Sequence, residues 1–310
     1  MTSLYVDPSF APDELLARLY AGDLVVFTSI DAVSELVDHT REALNELFDG
    51  ADPLDAHQRH TPEDMAAALG VWKPKFIHDP RSIQLVAKIV EEAGLALGAT
   101  HVDVPKPRTS FPVGHLTTGI AFAFPWHRDS WYGAPPQQIN WWLPIYDIGA
   151  DNAMEFDTAS FAKAVPNDSA DFDYYQLNAK RFTVAKQVHR EEQVRPRAID
   201  HEVADPLVVL MRPGSILLFA GAHLHASIAN TSPVSRYSVD FRTVDVADVL
   251  AGRGAPFVDV ECTGTALRDF RNAATGEPFA EDVVRKLYGD PPADAMLVFG
   301  PTAQDQGEPE

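Results

Sequence analysis

Cysteine is almost absent: the 310-residue chain has one, Cys262. A single thiol excludes an intramolecular disulfide framework and any structural zinc site built on cysteine pairs. Long apolar runs are also missing, and no stretch of about 18 apolar residues is present to span a membrane. The opening Met-Thr-Ser-Leu-Tyr-Val-Asp-Pro has neither the basic nor the apolar segment of a secretory signal, so a soluble cytoplasmic protein is expected. Positive charge is scarce, with 25 Lys+Arg against 45 Asp+Glu and a net charge of −20. That balance argues against a nucleic-acid partner, since such binding relies on clustered cations that release counterions from phosphates. A P-loop, a Rossmann glycine fingerprint, a Gly-x-Ser-x-Gly elbow and His-Glu-x-x-His are all lacking. What remains is 45% hydrophobic, too apolar for a disordered chain and long enough to bury a substantial core.

The first hundred residues read as mainly helical. After a short apolar strand at Asp23–Phe27, the spacing of Val33, Leu36, Val37, Leu44 and Leu47 predicts a helix from Ile30 to Phe48, capped near Ser29 or Asp31. Thr61-Pro-Glu-Asp starts another helix through Leu69, with Thr61 as its cap. A third runs from Arg81 to Leu97, and residues 50–60 form a polar connecting loop. From His101 the pattern changes to short β-rich runs at Gly119–Phe124, Gln138–Tyr146, Leu207–Met211, Ser215–Phe219, His223–Ala229 and Tyr237–Val244. Helices first and strands after argue for a mainly β protein with flanking helices and a sandwich or jelly-roll core. The expected layout is a single domain over 1–310: a helical part (1–100), a core (101–245) with an irregular insertion at about 157–205, and a C-terminal extension (246–310). A helix is expected at Glu281–Tyr288, and the last ten residues read as frayed.

Chemistry is left to histidine and carboxylate. Residues two apart on a strand point the same way, so His-x-Asp can present an imidazole and a carboxylate to one metal face. With a distant second histidine this makes the facial triad of non-haem Fe(II) sites. Eleven His and 29 Asp give about one such motif by chance, and the chain has two, His101-Val-Asp103 and His127-Arg-Asp129. The first sits in a polar lead-in and reads as a surface strand start. The second ends an apolar strand in an aromatic neighbourhood holding Trp126, Trp131, Trp141 and Trp142. Further on, His223 and His225 share a strand face, so alternation does not choose between them. Arg236 and Ser238 also share a face, and such a pair can clamp a carboxylate.

Together, Trp126-His127-Arg128-Asp129, Ile139-Asn140-Trp141-Trp142-Leu143-Pro144, Asp151-Asn152-Ala153-Met154 and Pro213-Gly214-Ser215 through His225, Asn230, Arg236 and Ser238 resemble the phytanoyl-CoA dioxygenase-like group of Fe(II)/2-oxoglutarate-dependent oxygenases. The resemblance covers about 120–245. It implies a double-stranded β-helix (jelly-roll) core with Fe(II) held by His127, Asp129 and His225, leaving His223 as a neighbour. It also implies Arg236, helped by Ser238, on the distal carboxylate of 2-oxoglutarate, with Gln138 and Asn140 on a pocket-lining strand. The co-substrates would be 2-oxoglutarate and O2, and the commonest outcome is hydroxylation of a C–H bond of a small molecule, with succinate as by-product. Asp129 speaks against halogenation, because halogenating relatives replace that carboxylate with a small residue.

Desaturation, cyclisation or epimerisation, a catalytically silent jelly-roll binding protein and a cupin-type metalloenzyme are the competing readings. The substrate and the oligomeric state, a homo-oligomer included, are left open, as are the orientations of Arg128, Trp131, Tyr132 and Gln137. Lys180 to Arg197 carries six Lys/Arg and two Glu. That basic segment suggests either a cationic lid over an anionic substrate, with Arg190 and Arg195 on it, or a basic face pairing with acidic surface.

Overall fold

The computed structural model describes residues 2–112, 124–178, 195–293 and 295. Its helical part comprises α1 (Pro12–Tyr20), α2 (Asp31–Leu47), the short α3 (Ala56–Arg59), α4 (Pro62–Ile77) and α5 (Pro80–Glu92). α2 buries Val33, Leu36, Val37 and Leu44 along one face and packs on α5. Its first turn is not capped by Ser29 or Asp31. Ile30 holds the cap position, and Glu92 from the end of α5 accepts the Ala32 N–H at 3.0 Å. α4 starts as expected, with Thr61 Oγ1 accepting the Asp64 N–H at 3.2 Å. It then runs eight residues past Leu69 and through Pro74, because Trp72 and Phe76 carry its buried face onward. α5 stops earlier than Leu97, where Gly94 takes a left-handed φ of 91°. The 50–60 loop is more ordered than its polarity suggests: Asp52 caps a 3-10 turn at Pro53–Asp55 that leads into α3.

The strands form two sheets. The larger has the order β1 (Leu4–Val6), β2 (Leu24–Phe27), β8 (Ile216–Ala220), β5 (Ile139–Pro144), β10 (Arg236–Asp245), β3 (Thr100–Val102) and β11 (Arg271–Asn272), with β4 (Lys106–Ser110) also paired to β10. The smaller is β7 (Leu207–Val209), β6 (Met154–Asp157) and β9 (Leu224–Ser227). The two sheets form the jelly-roll core. The expected strand at Gly119–Phe124 lies outside the described residues except for Phe124, as does 179–194 of the insertion, with Arg190. The extreme C-terminus also falls outside them. The described part of the insertion carries 3-10 turns at Thr158–Ser160 and Ser169–Asp171. The helix Glu281–Tyr288 is present as expected.

Strand alternation assigns the two faces of the large sheet. Tyr237, Val239 and Phe241 of β10 join Ile139, Trp141, Leu143, Ile216 and Leu218 in the core that the helices cover with Leu15, Leu36 and Ile89. Each such buried side chain contributes about 1.5–3 kcal/mol. Trp142, Leu217 and Phe219 point the other way and pack on Met154, Phe156 and Val209 of the small sheet. The residues between the apolar ones on β10, namely Arg236, Ser238, Asp240 and Arg242, therefore face the interior between the sheets. They are buried or half-buried there.

A buried guanidinium ties the interior together. Arg128 is 1% exposed and donates to Asp259 (3.1 Å), to the carbonyls of Ser160 (2.7 Å), Phe161 (3.3 Å) and Lys163 (2.8 Å), and to that of Ala222. Asp259 also accepts from Trp131 Nε1 at 2.9 Å and from the Val165 N–H at 3.0 Å. One side chain thus joins the segment 127–129, the turn before β9, the insertion and the C-terminal extension. Removing one partner of a buried charge pair strands the other. Arg128→Met is expected to lower unfolding stability by about 3–5 kcal/mol in a denaturant titration; a loss under about 1 kcal/mol contradicts the clasp.

Candidate metal centre

His127 and His225 lie opposite each other as an antiparallel bridge. Each backbone N–H donates to the other's carbonyl at 2.9 Å, so the two residues exchange both bonds and their side chains leave on the same side. The imidazole centroids are 4.2 Å apart. Nδ1 of His127 meets the Pro125 carbonyl at 2.8 Å, and Nδ1 of His225 meets that of His223 at 3.0 Å. A carbonyl oxygen only accepts, so Nδ1 carries the proton in both rings and Nε2 keeps a lone pair. Asp129 opens the 3-10 turn Asp129–Tyr132, with Oδ1 3.7 Å from His127 Nε2. Its Oδ2 accepts from Gln138 Nε2 at 3.1 Å and lies 3.9 Å from Arg242 Nε. One ligand atom from each of His127, Asp129 and His225 lies within 4.8 Å of the others, and this is the group able to hold a metal ion among the described residues.

The electrostatics suit cation binding. Burial pushes His127 down to about 3, helped by the neighbouring His225 ring, and burial also lowers His225. Burial works to raise Asp129, but Arg242 and the two imidazoles outweigh it and hold the carboxyl below its ordinary range. All three groups are therefore in the deprotonated form that a metal requires at neutral pH. His223 stands apart. It precedes β9 instead of starting it, so the alternation expected between His223 and His225 does not apply. Its ring nitrogens face the carbonyls of Ala220 (3.1 Å) and Gly22 (3.2 Å), and the ring packs on Phe161 with centroids 4.5 Å apart.

On the same interior face, Arg236 Nη1 donates to the Asn152 carbonyl at 3.1 Å. Arg236 Nε, Ser238 Oγ and Asn140 Nδ2 are buried without a hydrogen-bond partner. Gln138 Nε2 bridges Asp129 and Asn140 Oδ1, the latter at 2.9 Å. Burial pulls Arg236 down to about 10.

The other His-x-Asp is not a surface strand start. His101 and Asp103 are buried, because β3 is covered by β10 and β11. Asp103 accepts from the Arg242 backbone N–H at 2.7 Å and pairs with Arg242 Nη1 (3.2 Å) and with Lys106. Arg108 grips Asp240 through Nε (2.6 Å) and Nη2 (3.2 Å), and Arg242 Nη2 lies 3.3 Å from the same carboxylate. Burial opposes ionisation of Asp240, yet Arg108 and Arg242 hold it well below the carboxylate range. This network escaped the sequence reading. Its signal was the polar alternation Arg236, Ser238, Asp240, Arg242 inside an otherwise apolar strand.

Aromatic rings wall the cluster. Phe124 and Tyr132 stand 5.1 and 5.6 Å from the His127 ring, and Phe219 and Phe156 stand 5.0 and 5.9 Å from the His225 ring. Of the four residues whose orientation was open, Tyr132 faces the site, with its hydroxyl donating to the Pro196 carbonyl at 2.9 Å. Arg128 and Trp131 turn to Asp259, and Gln137 is buried.

No curated protein sequence matches the chain. Among solved structures, the 2-oxoglutarate complex of EvdO2 from Micromonospora carbonacea var. aurantiaca is 12% identical, with 72% of this chain and 86% of that chain covered and a TM-score of 0.43. The non-haem alpha-ketoglutarate-dependent carbocyclase SnoK from nogalamycin biosynthesis is 16% identical over 81% and 94% of the two chains, with a TM-score of 0.39. The epimerase SnoN, in complex with Fe3+, alpha ketoglutarate and nogalamycin RO, is 15% identical over 83% and 98%, with a TM-score of 0.41. The family model described as phytanoyl-CoA dioxygenase (PhyH) matches residues 19–238. The chain belongs to the phytanoyl-CoA dioxygenase family, whose members use Fe(II), 2-oxoglutarate and O2.

Proposed function

We propose that His127, Asp129 and His225 hold Fe(II), that Arg236 and Ser238 take the distal carboxylate of 2-oxoglutarate, and that the enzyme hydroxylates a C–H bond of a small molecule. The observation that carries this reading is the set of unpartnered buried atoms: Arg236 Nε, Ser238 Oγ and Asn140 Nδ2 share the interior with the metal-binding group. Buried donors left unsatisfied cost about 1–3 kcal/mol each, more when charged, and a dicarboxylate supplies the missing acceptors. The donor set also fits the metal. Two neutral imidazoles and one carboxylate on one side leave positions for a chelating co-substrate and for O2.

Bound there, Fe(II) with 2-oxoglutarate and O2 supplies the oxidation, in which the co-substrate is decarboxylated to succinate and one oxygen atom passes to the substrate. The protein's own residues set the conditions. The Pro125 and His223 carbonyls fix both imidazoles with Nε2 toward the metal position. Gln138 and Arg242 hold Asp129 Oδ2, which leaves Oδ1 on the side of His127. Phe124, Tyr132, Phe156 and Phe219 keep water from the rings they flank.

Two outcomes test these roles. Arg236→Met is expected to raise the apparent KM for 2-oxoglutarate by about 10–100-fold in a succinate-formation assay, with Arg236→Lys recovering part of the loss. An unchanged KM removes Arg236 from the co-substrate site. The second concerns protons. Two ordinary imidazoles, titrating near 6.5, would together give up about 1.5 protons to a metal at pH 6. His127 is held near 3 and so is already neutral at that pH, and burial shifts His225 in the same direction. Calorimetry in buffers of different ionisation enthalpy, with Ni(II) as a redox-stable probe, is expected to count fewer than about 0.8 protons released, the share of a single ordinary imidazole. A release of about one or more contradicts the pre-formed site.

A further inference from the structure

Each imidazole of the metal centre is pinned by a carbonyl at Nδ1. Among the described residues Asp129 is held instead through Oδ2, which accepts from Gln138 Nε2 at 3.1 Å and lies 3.9 Å from Arg242 Nε. Gln138 is itself steadied by Asn140 Oδ1 at 2.9 Å. Arg242 sits opposite Asn140 in the pairing of β10 with β5 and faces the same interior. Its side chain is long and rich in rotamers, so it orients Asp129 only if something orients it.

Asp103 supplies that hold, with three contacts to one residue. Its backbone N–H donates to the Arg242 carbonyl at 3.0 Å, its Oδ1 accepts the Arg242 backbone N–H at 2.7 Å, and its Oδ2 accepts from Nη1 at 3.2 Å. Asp103 can make all three because it directly follows β3, which pairs with β10. It is buried, and Lys106 engages its carboxylate as well. Asp240 lies 3.3 Å from Nη2. Nη1, Nη2 and Nε of one planar guanidinium thus face three carboxylates, those of Asp103, Asp240 and Asp129. With Lys106 and Arg108 the cluster counts three cations and three anions, all paired within it. Desolvation offsets much of what such buried pairs gain by attraction, so stability alone does not account for the network.

We propose that Asp103 is a positioning residue of the metal centre: through Arg242 it holds Asp129 so that one carboxylate oxygen faces the metal. A carboxylate free to turn can engage a metal with both oxygens. That would close a position that the co-substrate or O2 takes. The two His-x-Asp motifs then work in series, the first fixing the guanidinium that aligns the carboxylate of the second. This deepens the oxygenase reading and rests on its metal centre.

Calorimetry with Ni(II) on the full chain, together with the visible spectrum of the Co(II)-loaded form, tests it. Arg242→Gln is expected to weaken Ni(II) binding by at least about tenfold. Charge alone predicts the opposite sign, because removing a cation beside a metal position favours the metal. Asp103→Asn is also expected to weaken Ni(II) by about tenfold. It is expected to change the Co(II) spectrum, which reports the number and arrangement of ligands, in the same way as Arg242→Gln. In the double variant the losses are expected not to add, leaving affinity within about threefold of Arg242→Gln alone. Circular dichroism melting checks folding; if Arg242→Gln does not fold, Asp103→Asn, which keeps the size of the side chain, decides through its affinity and spectrum. The proposal is overturned if Arg242→Gln binds Ni(II) as tightly as the wild type or tighter, if Asp103→Asn leaves affinity and spectrum unchanged, or if the losses add in the double variant. A wild type that binds no Ni(II) contradicts the metal centre itself and the proposal with it, whereas wild-type binding that survives every variant overturns the positioning alone.

Discussion

Two backbone hydrogen bonds organise the centre of this molecule. The exchange between His127 and His225 puts residues from distant parts of the chain opposite each other. Because directly opposed side chains leave an antiparallel pair together, the same bonds that join the segment to the small sheet also bring the two imidazoles to 4.2 Å. Asp129 follows two residues later, at the start of a turn that returns its carboxylate to the histidines. Arg128, between them in sequence, points away into the clasp with Asp259 and four carbonyls. Ligand-bearing and load-carrying residues thus alternate through one tripeptide.

The second constraint is electrostatic. A sheet covered by helices on one face and by a second sheet on the other would ordinarily be apolar throughout. Here β10 departs from that rule, alternating Tyr237, Val239 and Phe241 with Arg236, Ser238, Asp240 and Arg242. The charges are tolerated because strands from three parts of the sequence supply their counterparts: Asp103 after β3, Lys106 and Arg108 on β4, and Asp129 before β5. Arg242 links this network to Asp129, so the metal-binding group and the charged interior form one connected system.

Much of this was legible in the sequence. The order of helices before strands and the phase of α2 and α5 follow from local periodicity, and His127 with Asp129 from motif spacing and its aromatic context, whereas His225 was singled out only by the family resemblance. The remainder depends on partners that sequence does not display. His223 and His225 were equivalent as residues of one strand, and only the start of β9 at Leu224 separates them. His101-Val-Asp103 read as surface because its flanks are polar, yet pairing of β3 with β10 and β11 buries it. Arg108, Asp240 and Arg242 each resemble ordinary surface charges when taken singly. Their meaning appears when β10 is placed between β4 and β5.

The central claim is that His127, Asp129 and His225, and not His223, hold iron next to a 2-oxoglutarate site. Anaerobic titration of Fe(II) and 2-oxoglutarate, read through the weak visible charge-transfer band of the chelate, tests it most directly. The band is expected in the wild type and in His223→Ala, and is expected to be lost in His225→Ala. A wild type without the band, or a band that survives His225→Ala and disappears in His223→Ala, would contradict it.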